Sequence, residues 1–181
     1  MTAKMLYSAA MSLDGFITGA GGDMSWMTEY LGPNPAVDDL VPEIGSLLVG
    51  NRTFRGDDPY KDTPQEGEPF GGAWSGPQFV VTHHAPDTPV PGITFVPDLE
   101  SGVAAAKAAA GDKYVNILGA SVAAQCLDAG VLDEILVCIA PVMLGDGVRL
   151  FDRAGGAKIA LERISLTQVP HATNLWLRVV R

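Results

Sequence analysis

The chain has 181 residues, enough for one domain that buries about two thirds of the surface exposed by its unfolded form. Hydrophobic residues make up 47% and charged residues 18%, a balance typical of a globular rather than a disordered protein. The formal net charge is -9 and only 12 residues are Lys or Arg. This argues against a nucleic-acid partner, because a phosphate-binding face needs clustered basic side chains.

Cysteine, histidine and hydropathy patterns constrain localisation and metal content. No apolar run reaches membrane-spanning length, and the amino terminus lacks the pattern of a signal peptide. Cys126 and Cys138 fall in a predicted helix and a predicted strand, which is typical of buried thiols in a reducing compartment. The three histidines show no ligand spacing with each other or with the cysteines. We therefore expect a cytoplasmic protein that has no membrane contact and no metal site.

Eight apolar stretches rich in Val, Ile and Leu predict β-strands. In chain order they are Met5–Met11, Ser46–Val49, Gln78–Thr82, Ile93–Val96, Tyr114–Leu118, Glu134–Ala140, Ile159–Thr167 and Asn174–Val180. The last two alternate roughly between apolar and polar residues, a pattern typical of antiparallel strands. The pair Asp133-Glu134 is interpreted as capping or solvating the start of a strand.

Three helices are predicted between these strands. They are Pro35–Ile44 after an Asn-Pro start signal, the alanine-rich segment Leu99–Ala110, and Ser121–Ala129 with a serine N-cap. Strands that alternate with helices and then follow one another directly predict an α/β fold over residues 1–181. Its central sheet is mostly parallel, flanked by helices and closed by a C-terminal antiparallel hairpin. The long loop at residues 56–77 is either a functional flap or a disordered excursion.

The first strand ends in Ser-Leu-Asp-Gly-Phe-Ile-Thr-Gly, residues 12–19. Open α/β folds bind ligands at the carboxyl ends of their strands, so Asp14 brings a carboxylate to the edge where a ligand is expected. The alternative is a plain Asp-Gly turn, which is common in proteins.

Three further strand ends carry small or polar residues that lead towards a helix. Arg52 and Thr53 follow Gly50 at a helix start, where they can hold a phosphate. Thr82-His83 ends another strand, and Gly119-Ala-Ser-Val122 runs directly into a helix through small residues. The common GxGxxG fingerprint is absent. Together these ends predict a nucleotide that lies across the carboxyl edge of one sheet.

These residues identify a family resemblance. The chain resembles the dihydrofolate reductase-like superfamily, and within it the reductase domain of bacterial riboflavin-biosynthesis deaminase-reductases and their stand-alone relatives. The matching segments follow the family's order over nearly the whole chain: residues 11–19, 50–54, 80–82, 119–121, 130–134 and 141–151. The resemblance implies a homodimeric reductase that uses NADPH, with NADH not excluded, and acts on a small molecule.

The resemblance also implies roles for individual residues. On the cofactor side, it implies that the nicotinamide lies beside Ala10, Ile17 and Gly19. It implies that phosphates of the adenosine half are held by Gly50, Arg52 and Thr53, and that the 2′-phosphate is flanked by Thr82 and His83. The pyrophosphate is then expected to bind to Gly119, Ala120, Ser121 and Val122. On the substrate side, the resemblance implies that Asp14, Phe16, Trp26 and Asp38 contact the substrate. Asp14 is then the expected catalytic residue, which would polarise the substrate. The alternative for Trp26 is a core aromatic residue, and the alternative for Asp38 and the neighbouring Asp39 is a solvated helix face.

Departures from the family's pattern leave the substrate open. Relatives often carry Arg at the positions of Asn51 and His83, so the preference for NADPH over NADH is in question. Phe16 and Ile117 replace a basic residue and a Glu that are common in riboflavin-pathway reductases, which argues against a phosphoribosyl-pyrimidine substrate. The leading expectation is hydride transfer to a heterocyclic or conjugated molecule that resembles a pterin or pyrimidine. The alternatives are 5-amino-6-(5-phosphoribosylamino)uracil reduction in riboflavin biosynthesis and a non-catalytic nucleotide- or ligand-binding protein.

Overall fold

One eight-stranded β-sheet organises residues 2–181, the part of the chain that the computed structural model describes. The strands are β1 Met5–Ser12, β2 Ile44–Gly50, β3 Gln78–Val81, β4 Ile93–Val96, β5 Tyr114–Leu118, β6 Glu134–Ala140, β7 Leu161–Val169 and β8 Ala172–Val179. Their order across the sheet is β4-β3-β2-β5-β1-β6-β8-β7. Strands β1 to β6 are parallel, β8 is antiparallel to β6, and β7 is antiparallel to β8. The predicted mostly parallel sheet with a C-terminal antiparallel hairpin is confirmed.

The parallel strands are buried on both faces, which explains their continuous apolar sequences. In β5, for example, Val115 and Ile117 pack into the core on one face, while Tyr114 and Leu118 pack into the core on the other. Each face therefore needs its own cover, and different segments supply it. The first face is covered by two long helices, and the second by residues around Leu40 and Trp74.

The α-helices in residues 2–181 are α1 Pro35–Asp38, α2 Asn51–Phe54, α3 Leu99–Ala110 and α4 Ala120–Asp128. α3 has the predicted bounds, and the Asp98 side chain caps it by accepting a hydrogen bond from the Ser101 backbone N–H at 2.8 Å. None of the helices in this part of the chain is both long enough and apolar enough to span a membrane.

Two helix predictions were wrong at their ends. The helix predicted for Pro35–Ile44 stops at Asp38 and is followed by a 3₁₀ turn at Val41–Glu43. Pro42 explains the break, because a proline lacks the N–H for the helical hydrogen bond and its ring clashes with the carbonyl four residues earlier. α4 begins at Ala120 after the cap residue Gly119, so Ser121 lies inside the helix instead of capping it.

The loop at residues 56–77 is docked against one face of the sheet, and its Trp74 reaches the amino end of β2. The Trp74 indole N–H donates to the Ile44 carbonyl at 2.9 Å, and Trp74 is only 8% exposed. Phe70, in the 3₁₀ turn Pro69–Gly72, packs against the same apolar cluster. The loop is therefore packed against the sheet, and its role as a functional flap stays a prediction.

Strand β7 forms one edge of the sheet and exposes the apolar side chains of Leu161, Ile164 and Leu166. These side chains form an accessible apolar surface beside an open sheet edge. The homodimer stays a prediction.

Candidate active site

A long cleft of about 1970 Å³ follows the carboxyl ends of the parallel strands. Ordinary small-molecule pockets have volumes of roughly 300–1,000 Å³, so this cleft has room for an extended ligand and a second molecule beside it. Its lining includes most of the predicted site residues: Ala10, Ile17, Gly19, Trp26, Asp38, Gly50, Arg52, Thr53, Thr82, His83, Gly119, Ala120, Ser121 and Val122. Asp14, Phe16 and Ile117 are outside the lining.

The middle of the cleft is built around Gly119, the residue that links β5 to α4. Its φ of +113° is one that side-chain-bearing residues rarely adopt, and a Cβ there would lie 2.5 Å from the Thr53 hydroxyl. A Cβ on Gly50 would lie 3.3 Å from the Val122 side chain. The two strand ends therefore approach closely, and the first-turn N–H groups of α4 have no partner within the helix. Such a helix start binds a phosphate or pyrophosphate.

One end of the cleft is basic. Arg52 and His83 are exposed in the lining, and Arg55 lines it as well. The Arg55 Nε donates to the Asn51 side-chain oxygen at 3.0 Å, and its Nη2 donates to the His84 carbonyl at 3.4 Å. Arg55 was not among the residues predicted from the sequence, although its i,i+4 spacing from Asn51 was a usable signal.

Asp98 also lines this basic end. The hydrogen bond from the Ser101 backbone N–H holds the pKa of Asp98 below its ordinary value, and the nearby His83 contributes a smaller electrostatic effect in the same direction. This end therefore carries one carboxylate beside the guanidinium groups of Arg52 and Arg55.

The loop after β1 is fixed by the segment at residues 141–150. The Ile17 backbone N–H donates to the Val148 carbonyl at 2.7 Å, and the Val148 N–H donates to the Thr18 hydroxyl at 3.2 Å. A side chain on Gly147 would overlap the Thr18 carbonyl. This close packing holds Ile17 and Gly19 rigidly at the cleft wall, next to Ala10.

Asp14 connects the same two segments and does not reach the cleft. Its carboxylate accepts hydrogen bonds from the Ser12 hydroxyl at 2.6 Å and from the backbone N–H groups of Leu144 at 3.0 Å and Gly145 at 2.7 Å. Phe16 is buried, with the Arg149 guanidinium 4.7 Å from its ring centre. The contacts of Asp14 thus stabilise a loop, whereas the family resemblance implied that Asp14 would polarise a substrate.

The hydrogen bonds to Asp14 predict a specific pH response. Led by the Ser12 hydroxyl, they lower the pKa of Asp14 to about 2. A depressed pKa means that this group's stabilising effect is complete above its ordinary pKa of about 3.9 and is lost as the pH falls through about 2. We expect the Leu144 and Gly145 amide resonances to stay constant between about pH 5 and pH 3. A titration of these amides near pH 4 in the wild type would contradict this assignment, and so would a titration near pH 2 that persists in Asp14→Asn.

The other end of the cleft is formed by the 3₁₀ segment Ser25–Tyr30 and by α1. The Trp26 indole N–H is buried and has no hydrogen-bond partner within residues 2–181. Asp38 is exposed at the rim, and its Oδ2 accepts from the Asn34 backbone N–H at 3.2 Å. Asp39 does not line the cleft. The structure therefore brings Trp26 and Asp38 together at one end and leaves Asp39 outside.

The floor of this end is polar but already satisfied. The side-chain amides of Asn34 and Asn174 donate to each other, both at 2.9 Å, and the Asn34 amide also approaches the Cys138 sulfur at 3.7 Å. Burial raises the pKa of the Cys138 thiol to about 11, so the thiol is protonated at neutral pH. Cys138 thus contributes a small apolar surface and not a nucleophile.

Several lining residues lacked any local sequence signal. Asn34, Cys138 and His171 meet at the cleft from three distant parts of the chain. His171 lies in the turn between β7 and β8 and packs against Gly32, where an added Cβ would lie 3.1 Å from the imidazole. Only the tertiary fold brings these residues to one place.

The family model of the RibD C-terminal domain matches residues 3–175. The chain is similar to an uncharacterized protein, YyaP, of Bacillus subtilis (strain 168), with 26% identity over 152 residues that cover 82% of this chain and 80% of that protein. A solved structure of a putative riboflavin biosynthesis protein from Shewanella sp. PV-4 superimposes with a TM-score of 0.75 at 23% identity, covering 98% of this chain and 99% of that one.

Dihydrofolate reductase from Enterococcus faecalis, solved in complex with NADP(H), superimposes with a TM-score of 0.61 at 17% identity, covering 99% of this chain and 98% of that one. The dihydrofolate reductase-like fold implied by the resemblance is therefore confirmed. The chain belongs to the RibD C-terminal domain family.

Proposed function

We propose that this protein is a reductase that transfers hydride from NADPH to a small heterocyclic or conjugated molecule. The observation that carries the proposal is the cleft, in which the glycine-lined start of α4 lies between an end that carries Arg52 and Arg55 and an end with apolar walls. The family and the reductase folds to which the chain is similar support a reductase of the riboflavin-pathway type. To a reductase of this type, we add the use of NADPH as cofactor and of a heterocyclic or conjugated molecule as substrate.

The cleft residues fit a nicotinamide dinucleotide. Backbone N–H groups at residues 119–122 suit the pyrophosphate, since any side chain at Gly119 would fill the space next to Thr53. Arg52, Arg55 and His83 suit the phosphates of the adenosine half. The small wall formed by Ala10, Ile17 and Gly19 suits a flat nicotinamide ring and excludes water from it.

A bound NADPH would supply one hydride and become NADP⁺, and a proton from solvent would complete the reduction, so that the substrate would gain two hydrogen atoms. Within this chain, Asp38 at the rim would relay that proton. The Trp26 indole N–H, which is buried without a partner within residues 2–181, would donate a hydrogen bond to an acceptor atom on the substrate. Both residues line the cleft, whereas Asp14 does not.

Replacing Arg52 with alanine tests how the cofactor is held. A lost charge-assisted hydrogen bond costs about 1.5–3 kcal/mol, so we expect NADPH binding to weaken roughly 10- to 100-fold and NADH binding to weaken less. Quenching of tryptophan fluorescence measures both affinities. The control is Arg178→Ala, which removes an exposed ion pair with Glu162 outside the cleft. Equal weakening of NADPH and NADH would assign Arg52 to the shared phosphates and contradict a role at the 2′-phosphate.

A further inference from the structure

Charge is unevenly divided along the cleft. The charged side chains in the lining are eight carboxylates, Asp23, Asp38, Asp57, Asp58, Glu66, Glu68, Asp98 and Asp146, and two guanidinium groups, Arg52 and Arg55. Both guanidinium groups are carried by α2 or the residue that follows it, at the end assigned to the adenosine half. Within residues 2–181, no Lys or further Arg lines the cleft.

Four of the carboxylates belong to one loop that borders the substrate end. Residues 57–68 are joined to the Trp26 segment by two hydrogen bonds. The Met24 backbone N–H donates to Asp57 Oδ2 at 3.1 Å, and the Thr28 hydroxyl donates to the Pro59 carbonyl at 3.5 Å. Together with Asp38, this loop contributes five carboxylates to the lining of the substrate end. Lys61 of the same loop pairs with one of them, Asp57, at 3.6 Å, and the His171 imidazole does not balance the other four.

The walls behind these charges are apolar. Leu40 and Leu136 are buried in the core cluster on this face, and Val37 and Phe70 pack against the same cluster. All four line the cleft. The amide groups of the floor are already paired with each other, so the Trp26 indole N–H is the buried donor at this end that lacks a partner in residues 2–181.

We infer that the substrate is a planar ring compound that is neutral or cationic and carries no phosphate group; this inference rests on the proposed function and names the substrate class of the same cleft. A phosphate monoester carries nearly two negative charges at neutral pH and is normally held by Arg or Lys side chains. Here it would meet several carboxylates and, within residues 2–181, no Lys or Arg side chain, and at physiological salt their repulsion acts over a Debye length of about 8 Å. The apolar walls accept a flat ring, and the Trp26 N–H binds one acceptor atom on it.

A matched pair of flavins tests this inference, because riboflavin and FMN share a ring and differ by one phosphate. With the protein saturated with NADP⁺, flavin fluorescence anisotropy measures the binding of each probe. We expect riboflavin to bind at least tenfold more tightly than FMN at low salt, and the ratio to fall as salt is raised. FMN binding that equals or exceeds riboflavin binding, or no binding by riboflavin, would overturn the inference. Failure of NADP⁺ itself to bind would instead contradict the proposed function.

Charge removal in the loop provides the second arm of the experiment. The double variant Glu66→Gln, Glu68→Gln should tighten FMN binding at least threefold and leave riboflavin binding unchanged. Glu162→Gln removes a carboxylate on β7 outside the cleft and is the matched control. If the double variant and the control affect FMN equally, the loop carboxylates do not exclude phosphate and the inference is wrong.

Discussion

Replacing Gly119 with valine should weaken NADPH binding at least a hundredfold. The added side chain must adopt a φ of +113° and would lie 2.5 Å from the Thr53 hydroxyl, which displaces the backbone that faces the pyrophosphate. Loss of this backbone site removes several hydrogen bonds together, each worth about 1.5–3 kcal/mol when the partner is charged. Isothermal titration calorimetry with NADPH measures the loss, and thermal unfolding reports whether the variant folds.

Gly130→Ala is the matched control for backbone strain. Gly130 follows α4 with a φ of +68°, and an added Cβ there has open space and does not face the cleft. We expect this variant to lose about 1 kcal/mol of stability while its NADPH affinity stays unchanged. If Gly119→Val does not fold, Gly119→Ala replaces it in the same comparison. NADPH affinity that is retained in a folded Gly119 variant would show that the pyrophosphate does not bind at this turn.

Replacing Glu134 with alanine should lower the free energy of unfolding by about 2–4 kcal/mol. Glu134 is 3% exposed, and its carboxylate accepts hydrogen bonds from Lys4 Nζ at 2.8 Å, the Tyr114 hydroxyl at 3.0 Å and the Trp176 indole N–H at 2.8 Å. Removal leaves the two aromatic donors without their acceptor in a buried region. Urea denaturation monitored by circular dichroism measures the change.

An exposed ion pair sets the scale for this effect. Glu162→Ala breaks the pair with Arg178, in which both side chains are at least half exposed, and should cost less than about 1 kcal/mol. Glu134 begins β6, at the amino ends of the parallel strands, whereas the cleft lies at their carboxyl ends. Its loss should therefore leave NADPH affinity unchanged in the protein that remains folded. Equal costs for the two variants would contradict the assignment of Glu134 to a buried network.

Much of the fold was predictable because strands buried on both faces form continuous apolar sequences. The predicted bounds of β4, β5, β6 and α3 agree with the structure. Glu134 was interpreted as a residue that caps or solvates the start of a strand, but its side chain is buried. Its partners lie at positions 4, 114 and 176, and no local pattern reveals such distant donors.

The site was predictable where it depends on topology alone. Parallel strands end at one edge, so Gly50, Thr82 and Gly119 were expected near one another, and all three line the cleft. The direction of a side chain in a turn was not predictable. The Asp14 carboxylate meets backbone N–H groups 130 and 131 positions away, which no spacing within the motif indicates.

Two residues in the sequence, Phe16 and Ile117, indicated a substrate without a phosphate, but neither can act on a bound ligand. Phe16 is buried beside Arg149, and Ile117 packs on the face of the sheet that α3 and α4 cover. Neither residue reaches the cleft. The acidic residues around the substrate end now support the same conclusion through electrostatic repulsion. Their effect depends on a loop whose position the sequence left open.

A crystal structure determined with NADPH tests the assignment of the cleft most directly. We expect the pyrophosphate at the start of α4 beside Gly119, the adenosine half towards Arg52 and His83, and the nicotinamide against Ala10 and Ile17. A dinucleotide bound elsewhere, or the absence of bound NADPH from crystals grown at saturating concentration, would contradict the proposal that this cleft is the cofactor site of a reductase.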